Sequence, residues 1–305
     1  MVEREKAWLK LLELPSMKGV NNLKQVKRLC REGLPSSLRG KIWTKLILEG
    51  RQREPELFDA LMTKQNAMVD TNIDIFDVIE RDVMRCYPQH SMFSDYEGHG
   101  VRNLRGILRC YALYNPLLGY TQGMGFIVGM LMMHITSTED VFWVLVGMLE
   151  GVCKGFYDPD LKRVRMDARV FDVLLRNMDT KLSIYFETNQ IDGLMFIPQW
   201  FLTLFTSCLP WPSVLRIWDM FICEGSKALF RMSLALLIAS KEHLLMRCPS
   251  NSEALSFILH LPRDDPKFQP EALSKLMMKI RLRSRNLQKL RLHVEENTDS
   301  RGRNI

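Results

Sequence analysis

Two short stretches of this 305-residue chain stand out for side chains whose types and spacing could do chemistry. The first is Ile79-Glu-Arg-Asp82-Val-Met-Arg85-Cys-Tyr-Pro88, and the second is Gly119-Tyr120-Thr121-Gln122-Gly123-Met124. A guanidinium is always charged and presents a rigid fork of donors, so Arg85 could neutralise a planar anion bidentately, where a lysine would supply charge without the fork. A glutamine amide offers both a donor and an acceptor, so Gln122 could bond to two kinds of partner at once. Asp82 and Arg85 are three residues apart and share one helical face. Pro88 disfavours helix at Tyr87, which puts Arg85 in the last turn, where a long side chain can project past the helix end. Thr121 is the expected N-cap of the next helix, with Gln122 at a partly exposed corner. Each residue has an ordinary alternative: arginine suits a helix C-terminus through the macrodipole, and an amide near a helix start is commonplace.

Other catalytic apparatus is missing from the chain. There is no Gly-x-Ser-x-Gly elbow, Walker-type phosphate loop or His-Glu-x-x-His pair. The six histidines are scattered, and the seven cysteines form no Cys-x-x-Cys pair, so no metal or cofactor is expected and the thiols read as reduced and mostly buried. Hydrophobic residues make up 47% of the chain and charged residues 25%, which fits a globular fold rather than disorder. The net charge of +7 favours an acidic partner surface without saying which. The first residues lack the apolar core of a secretory signal, and the apolar run 123–135 is shorter than the roughly 20 residues of a membrane span. A cytoplasmic location is therefore expected.

The elements that must hold these residues read as helices throughout. Trp8, Leu11 and Leu12 mark an opening helix; Ile42, Trp43, Leu46 and Ile47 mark a second, stopped by Gly50. Ile75, Ile79 and Val83 repeat at every fourth position, and Leu104, Leu108 and Tyr111 follow until Pro116. The runs 123–135 and 141–149 read as buried helices, with Gly125 and Gly129 permitting close packing. Further helices are expected over 169–178, 184–187, 200–208, 214–223 and 228–246, with a division into two lobes near 151–162. Apolar residues from Leu273 to Val294 suggest one final helix packed on its own domain, interrupted in its stripe by Arg283. Lys279, Arg281, Arg283, Arg285, Lys289 and Arg291 make that helix basic, and a polar tail is expected from 297.

With Gly33-Leu-Pro35, Arg39-x-x-x-Trp43, Trp200-Phe-x-x-Leu-Phe205, Ile217-Trp218-Asp219 and Gly225, the two stretches form an ordered set over residues 31–245. In that order they resemble the TBC-domain family of Rab GTPase-activating proteins. The resemblance implies an all-α, bilobed multi-helix fold. It covers the TBC domain over 31–245, while the residue pattern around it reads as an N-terminal helical extension over 1–30, C-terminal helices over 246–296 packed on the second lobe, and the tail over 297–305. It also implies that Arg85 is an arginine finger and Gln122 a glutamine finger. Both would be supplied in trans to a Rab-family GTPase in its GTP form, which carries its own Mg²⁺ and nucleotide. Asp82, Arg39 and Trp43, with Tyr120 and Gly123, would position the pair. Cys86 departs from the Thr or Ser often found after the finger, but it too is small. The alternative is a non-catalytic TBC scaffold that binds a GTPase or another trafficking partner. The basic final helix suggests peripheral contact with acidic endomembranes. It lacks the interleaved aromatics of a nucleic-acid platform, so nucleic acid is not expected.

Overall fold

The computed structural model describes residues 2–68 and 74–302. Every regular element among them is helical, and the chain divides into two compact units, Met1–Pro159 and Asp160–Ile305. The first unit contains α1 (Val2–Glu13), α2 (Val20–Glu32), α3 (Arg39–Leu48), α4 (Leu57–Ala67), α5 (Asp74–Val83), α6 (His99–Tyr114), α7 (Met124–Met132) and α8 (Thr138–Glu150). Its core forms where α6 meets α4, α5, α7 and α8. A helix that is apolar on all sides must be enclosed on all sides, and Met124, Ile127, Val128, Met130 and Leu131 of α7 are fully buried. The close packing expected at Gly125 and Gly129 is against a turn rather than another helix. A Cβ on Gly125 would lie 2.6 Å from Cys86 Sγ, and one on Gly129 would lie 2.8 Å from the Tyr87 ring. The turn after α5 is thereby seated in a notch of α7.

The second unit contains α9 (Lys162–Met178), α10 (Thr180–Thr188), α11 (Ile197–Leu202), α12 (Trp211–Glu224), α13 (Ser226–Arg247), α14 (Asn251–Leu259), α15 (Pro270–Lys279) and α16 (Ser284–Gly302). Phe171, Phe196, Trp200, Phe201, Phe205 and Phe230 form a connected aromatic core. Local chemistry sets several helix starts. Asp179 accepts from Leu182 N–H at the head of α10, and Ser250 with Glu253 forms a reciprocal capping box on α14.

Three expectations need correction. The helix expected over 200–208 ends at Leu202, because Leu204 and Phe205 adopt positive φ of 45° and 65°; the Leu204 carbonyl so exposed accepts from Trp218 Nε1 at 3.2 Å. The single final helix is two helices, α15 and α16, separated by a non-helical link over 280–283. Arg291 is also not part of a solvated basic face. It makes a two-pronged bond to the buried carboxylate of Asp167 at 2.7 and 2.8 Å, joins Ser226 Oγ, and lies over the Phe230 ring. This arginine holds α16 on α9. The helical backbone of α16 runs to Gly302, past the start of the expected polar tail, whose residues 303–305 lie outside the described residues.

Candidate functional site

α5 ends at Val83, so Arg85 stands in the turn just beyond the helix rather than in its last turn. The backbone closes through Arg85 N–H to the Asp82 carbonyl and Cys86 N–H to the Val83 carbonyl. Tyr87 then takes a left-handed conformation, φ 53°, ahead of Pro88. For a bulky non-glycine residue that geometry is costly and persists only where the surroundings hold it. Tyr87 is held by its hydroxyl, which donates to the Phe126 carbonyl at 2.9 Å, and by its ring, which packs against Phe126 and the Gly129 notch. The turn therefore presents Arg85 outward, 58% exposed, at a defined corner.

Asp82 is the hub of this corner. Its carboxylate is 5% exposed, pairs with the Arg85 guanidinium through Oδ1 and accepts from Tyr120 Oη through Oδ2 at 2.7 Å. One buried carboxylate thus joins the turn after α5 to the loop before α7. Burial raises the Tyr120 phenol well above its ordinary value, so it remains a donor to Asp82. Burial likewise pushes the Cys86 thiol up to about 12, against the lowering effect of Arg85. It stays protonated and bonds back to the Asp82 carbonyl at 3.2 Å, so it is no thiolate nucleophile.

The second stretch is pinned differently from the expected way. Thr121 does not cap α7; its hydroxyl donates to the Tyr157 carbonyl at 2.8 Å. The capping position belongs to Gly123, whose φ of 107° is a conformation that side-chain-bearing residues rarely adopt. Gln122 lies between these anchors, exposed, and its amide makes no hydrogen bond among the described residues. The loop is rigid on both sides of a free amide.

Arg39 and Trp43 act on the other end of α7. Both are buried on α3; Arg39 Nη2 donates to the Leu34 carbonyl at 2.7 Å, and Trp43 meets the His134 ring edge-on at 5.1 Å. His134 follows the C-terminus of α7, about 13 Å of helix from the Gln122 loop. Burial first, then the charge of Arg39, lowers His134 to about 4, so it is neutral. His134, Tyr87 and Tyr157 were not among the expected site residues. A scattered histidine and lone tyrosines give no local signal, whereas the pair Gly125 and Gly129 did mark the notch.

A family model described as the Rab-GTPase-TBC domain matches residues 36–245. This chain belongs to that family. Gly33-Leu-Pro35 lies just ahead of the matched region of the TBC domain. Among related proteins, Carabin from Mus musculus is 33% identical over 94% of this chain and 64% of its own length. TBC1 domain family member 10A from Mus musculus is 35% identical over 88% of this chain and 53% of its own length. The chain thus spans from about half to less than two thirds of these two relatives. In fold it is similar to the Chlamydomonas flagellar RabGAP TBC domain, with a TM-score of 0.72 at 24% identity over 91% of this chain and 90% of that one. It is also similar to the Ypt/Rab-GAP domain of Gyp1p, with a TM-score of 0.71 at 17% identity over 91% of this chain and 96% of that one. Among the described residues of the TBC chain, no helix is long and apolar enough to cross a membrane, and no group of three or more His, Cys, Asp or Glu could hold a metal ion.

Proposed function

We propose that this TBC domain accelerates GTP hydrolysis by a Rab-family small GTPase in its GTP form, with Arg85 and Gln122 entering the partner's site in trans. The observation that carries the reading is the Asp82 carboxylate, which receives both the Arg85 guanidinium and the Tyr120 hydroxyl. Two exposed side chains with complementary chemistry are thereby presented from segments tied at one buried point. GTP hydrolysis demands mainly positioning of water and neutralisation of charge on the phosphoryl oxygens. Arg85 would supply the charge and the donor fork, and Gln122 would orient the water. The nucleotide and its magnesium ion belong to the GTPase as substrate. Asp82, Tyr120 and Gly123 would hold the two fingers, while Arg39 and Trp43 would steady α7 from its far end. Because the substrate would be membrane-held, the protein would act from the cytoplasmic side as a peripheral component of an endomembrane.

The test is single-turnover hydrolysis over a panel of purified GTP-loaded Rabs. Arg85→Ala should reduce stimulation by about a thousandfold, and Gln122→Ala by about a hundredfold; the melting temperature should be unchanged for Gln122→Ala and lowered for Arg85→Ala, which also takes a partner from buried Asp82. A responsive Rab that hydrolyses GTP equally fast with both variants would overturn the dual-finger reading. Absence of stimulation across the whole panel would favour a non-catalytic scaffold.

A further inference from the structure

Between residues 272 and 294 the chain carries seven lysines and arginines, no acidic residue and no Phe, Tyr or Trp. Arg291 is committed to Asp167. Lys279, Arg281, Arg283, Arg285 and Lys289 are exposed and make no ion pair among the described residues. The link between α15 and α16 explains why these charges point outward. Arg231 donates Nε to the Ile280 carbonyl and Nη2 to the Leu282 carbonyl, both at 3.2 Å, and is itself paired with buried Glu224. Ile280 and Leu282 are 9% and 5% exposed while Arg281 and Arg283 are exposed, so the link buries its apolar side chains and turns both arginines to solvent. This charge is displayed by a fixed backbone rather than carried on a loose tail.

Two apolar features adjoin it. Met278, two residues before the link, is 45% exposed. A groove of about 560 Å³ runs beside it, lined by Leu174, Met178, Ile238, Leu276 and Leu282, with Lys279 and Arg281 on its rim. A nucleic acid would match the charge but would leave the groove and Met278 unused, and no aromatic ring is there for bases to stack on. An anionic lipid surface satisfies both features, with headgroups against the cations and acyl chains against the apolar groups. We propose that the link between α15 and α16, with its flanking turns, is a docking surface for acidic membrane. Why such a surface would matter rests on the proposed activity at an endomembrane; the lipid binding itself does not.

The experiment is sedimentation of the full chain with phosphatidylcholine vesicles, with and without phosphatidylserine. Each cation held near an acidic leaflet improves partitioning by about fivefold. Binding should therefore require phosphatidylserine, weaken with salt, and fall by about a hundredfold in Arg281→Gln/Arg283→Gln/Arg285→Gln. An equal charge change on α2, Lys24→Gln/Lys27→Gln/Arg28→Gln, should leave most of the binding intact. Equal loss in both triple variants would reduce the effect to net charge and overturn the proposal, as would equal binding to both vesicle types or to neither. Preferential binding of a single-stranded oligonucleotide over the acidic vesicles would also overturn it. Stimulated hydrolysis of a soluble GTPase without vesicles should be unchanged in the link variant, so failure of the lipid proposal and failure of the catalytic one remain distinguishable.

Discussion

A carboxylate as enclosed as Asp82 keeps its charge only where donors surround it. Tyr120→Phe removes one donor while preserving the ring. It should cost about 1.5–3 kcal/mol of stability and lower stimulated hydrolysis by about tenfold, the equivalent of about 1.4 kcal/mol. Melting curves and stopped-flow hydrolysis check both numbers, and an unaltered rate would remove Tyr120 from the positioning of the fingers. Cys86 makes the opposite case. Its thiol is buried, protonated and bonded only to a backbone carbonyl. Cys86→Ser keeps a small donor in that place and should leave stimulation unchanged, while the native thiol should resist alkylation at neutral pH.

At the scale of elements, glycine in α7 reverses its usual ranking. In an open helix, alanine in place of glycine gains about 1 kcal/mol. Gly129→Ala would instead place a methyl 2.8 Å from the Tyr87 ring, an overpacking cost of about 1–3 kcal/mol. The variant should melt lower and lose stimulation through the displaced Arg85 turn; a stabilised, fully active protein would refute the notch. Arg291→Gln strips the principal partner from Asp167, leaving Arg163 at 3.4 Å, and should destabilise the second unit by about 3 kcal/mol in a denaturant titration. These elements also mark how far the sequence could be read. The all-helical character was legible because apolar spacing is local, and so were the runs that became α7 and α8. The break after Leu202 was not, because positive φ at Leu204 and Phe205 is imposed by packing and involves no glycine or proline. The link at 280–283 was hidden because Ile280 falls four residues after Leu276 and Leu287 seven after Ile280, which keeps the helical stripe running, while Arg231, far off in sequence, takes the Ile280 and Leu282 carbonyls. At the candidate site, ordered motifs singled out Arg85 and Gln122, but their spacing gave no sign that Asp82 and Tyr120 tie the two stretches together. The true roles of Thr121 and His134 depend on partners that no spacing reveals.

At the scale of the whole molecule, two half-buried groups among the described residues, His134 and Asp172, have linkages to stability that oppose each other. His134, in the first unit, is held down at about 4 by burial and by Arg39, so its contribution is full above 6.5 and is lost as pH falls toward 4. Asp172, in the second unit, is raised to about 7, chiefly by burial, although the Gly193 N–H bonded to it works the other way. Its contribution is full below about 4 and is lost as pH rises toward 7. His134 is worth about 3 kcal/mol and Asp172 about 4 kcal/mol, over nearly the same range and with opposite sign. Asp172→Asn should therefore expose a stability that climbs with pH from 4 to 6.5, and His134→Gln one that declines toward 7. Parallel pH profiles of melting temperature for both variants and the parent would exclude this opposition. A different consequence follows from the Tyr87 ring lodged at Gly129. With Cys86 seated at Gly125, it acts as a detent on α7. The helix cannot creep along its axis; its next seat lies one full turn away, about 5.4 Å. The reach of Gln122 is then a stepped quantity, and a glutamine that falls slightly short can be corrected only by rebuilding the loop from Gly119 to Gly123.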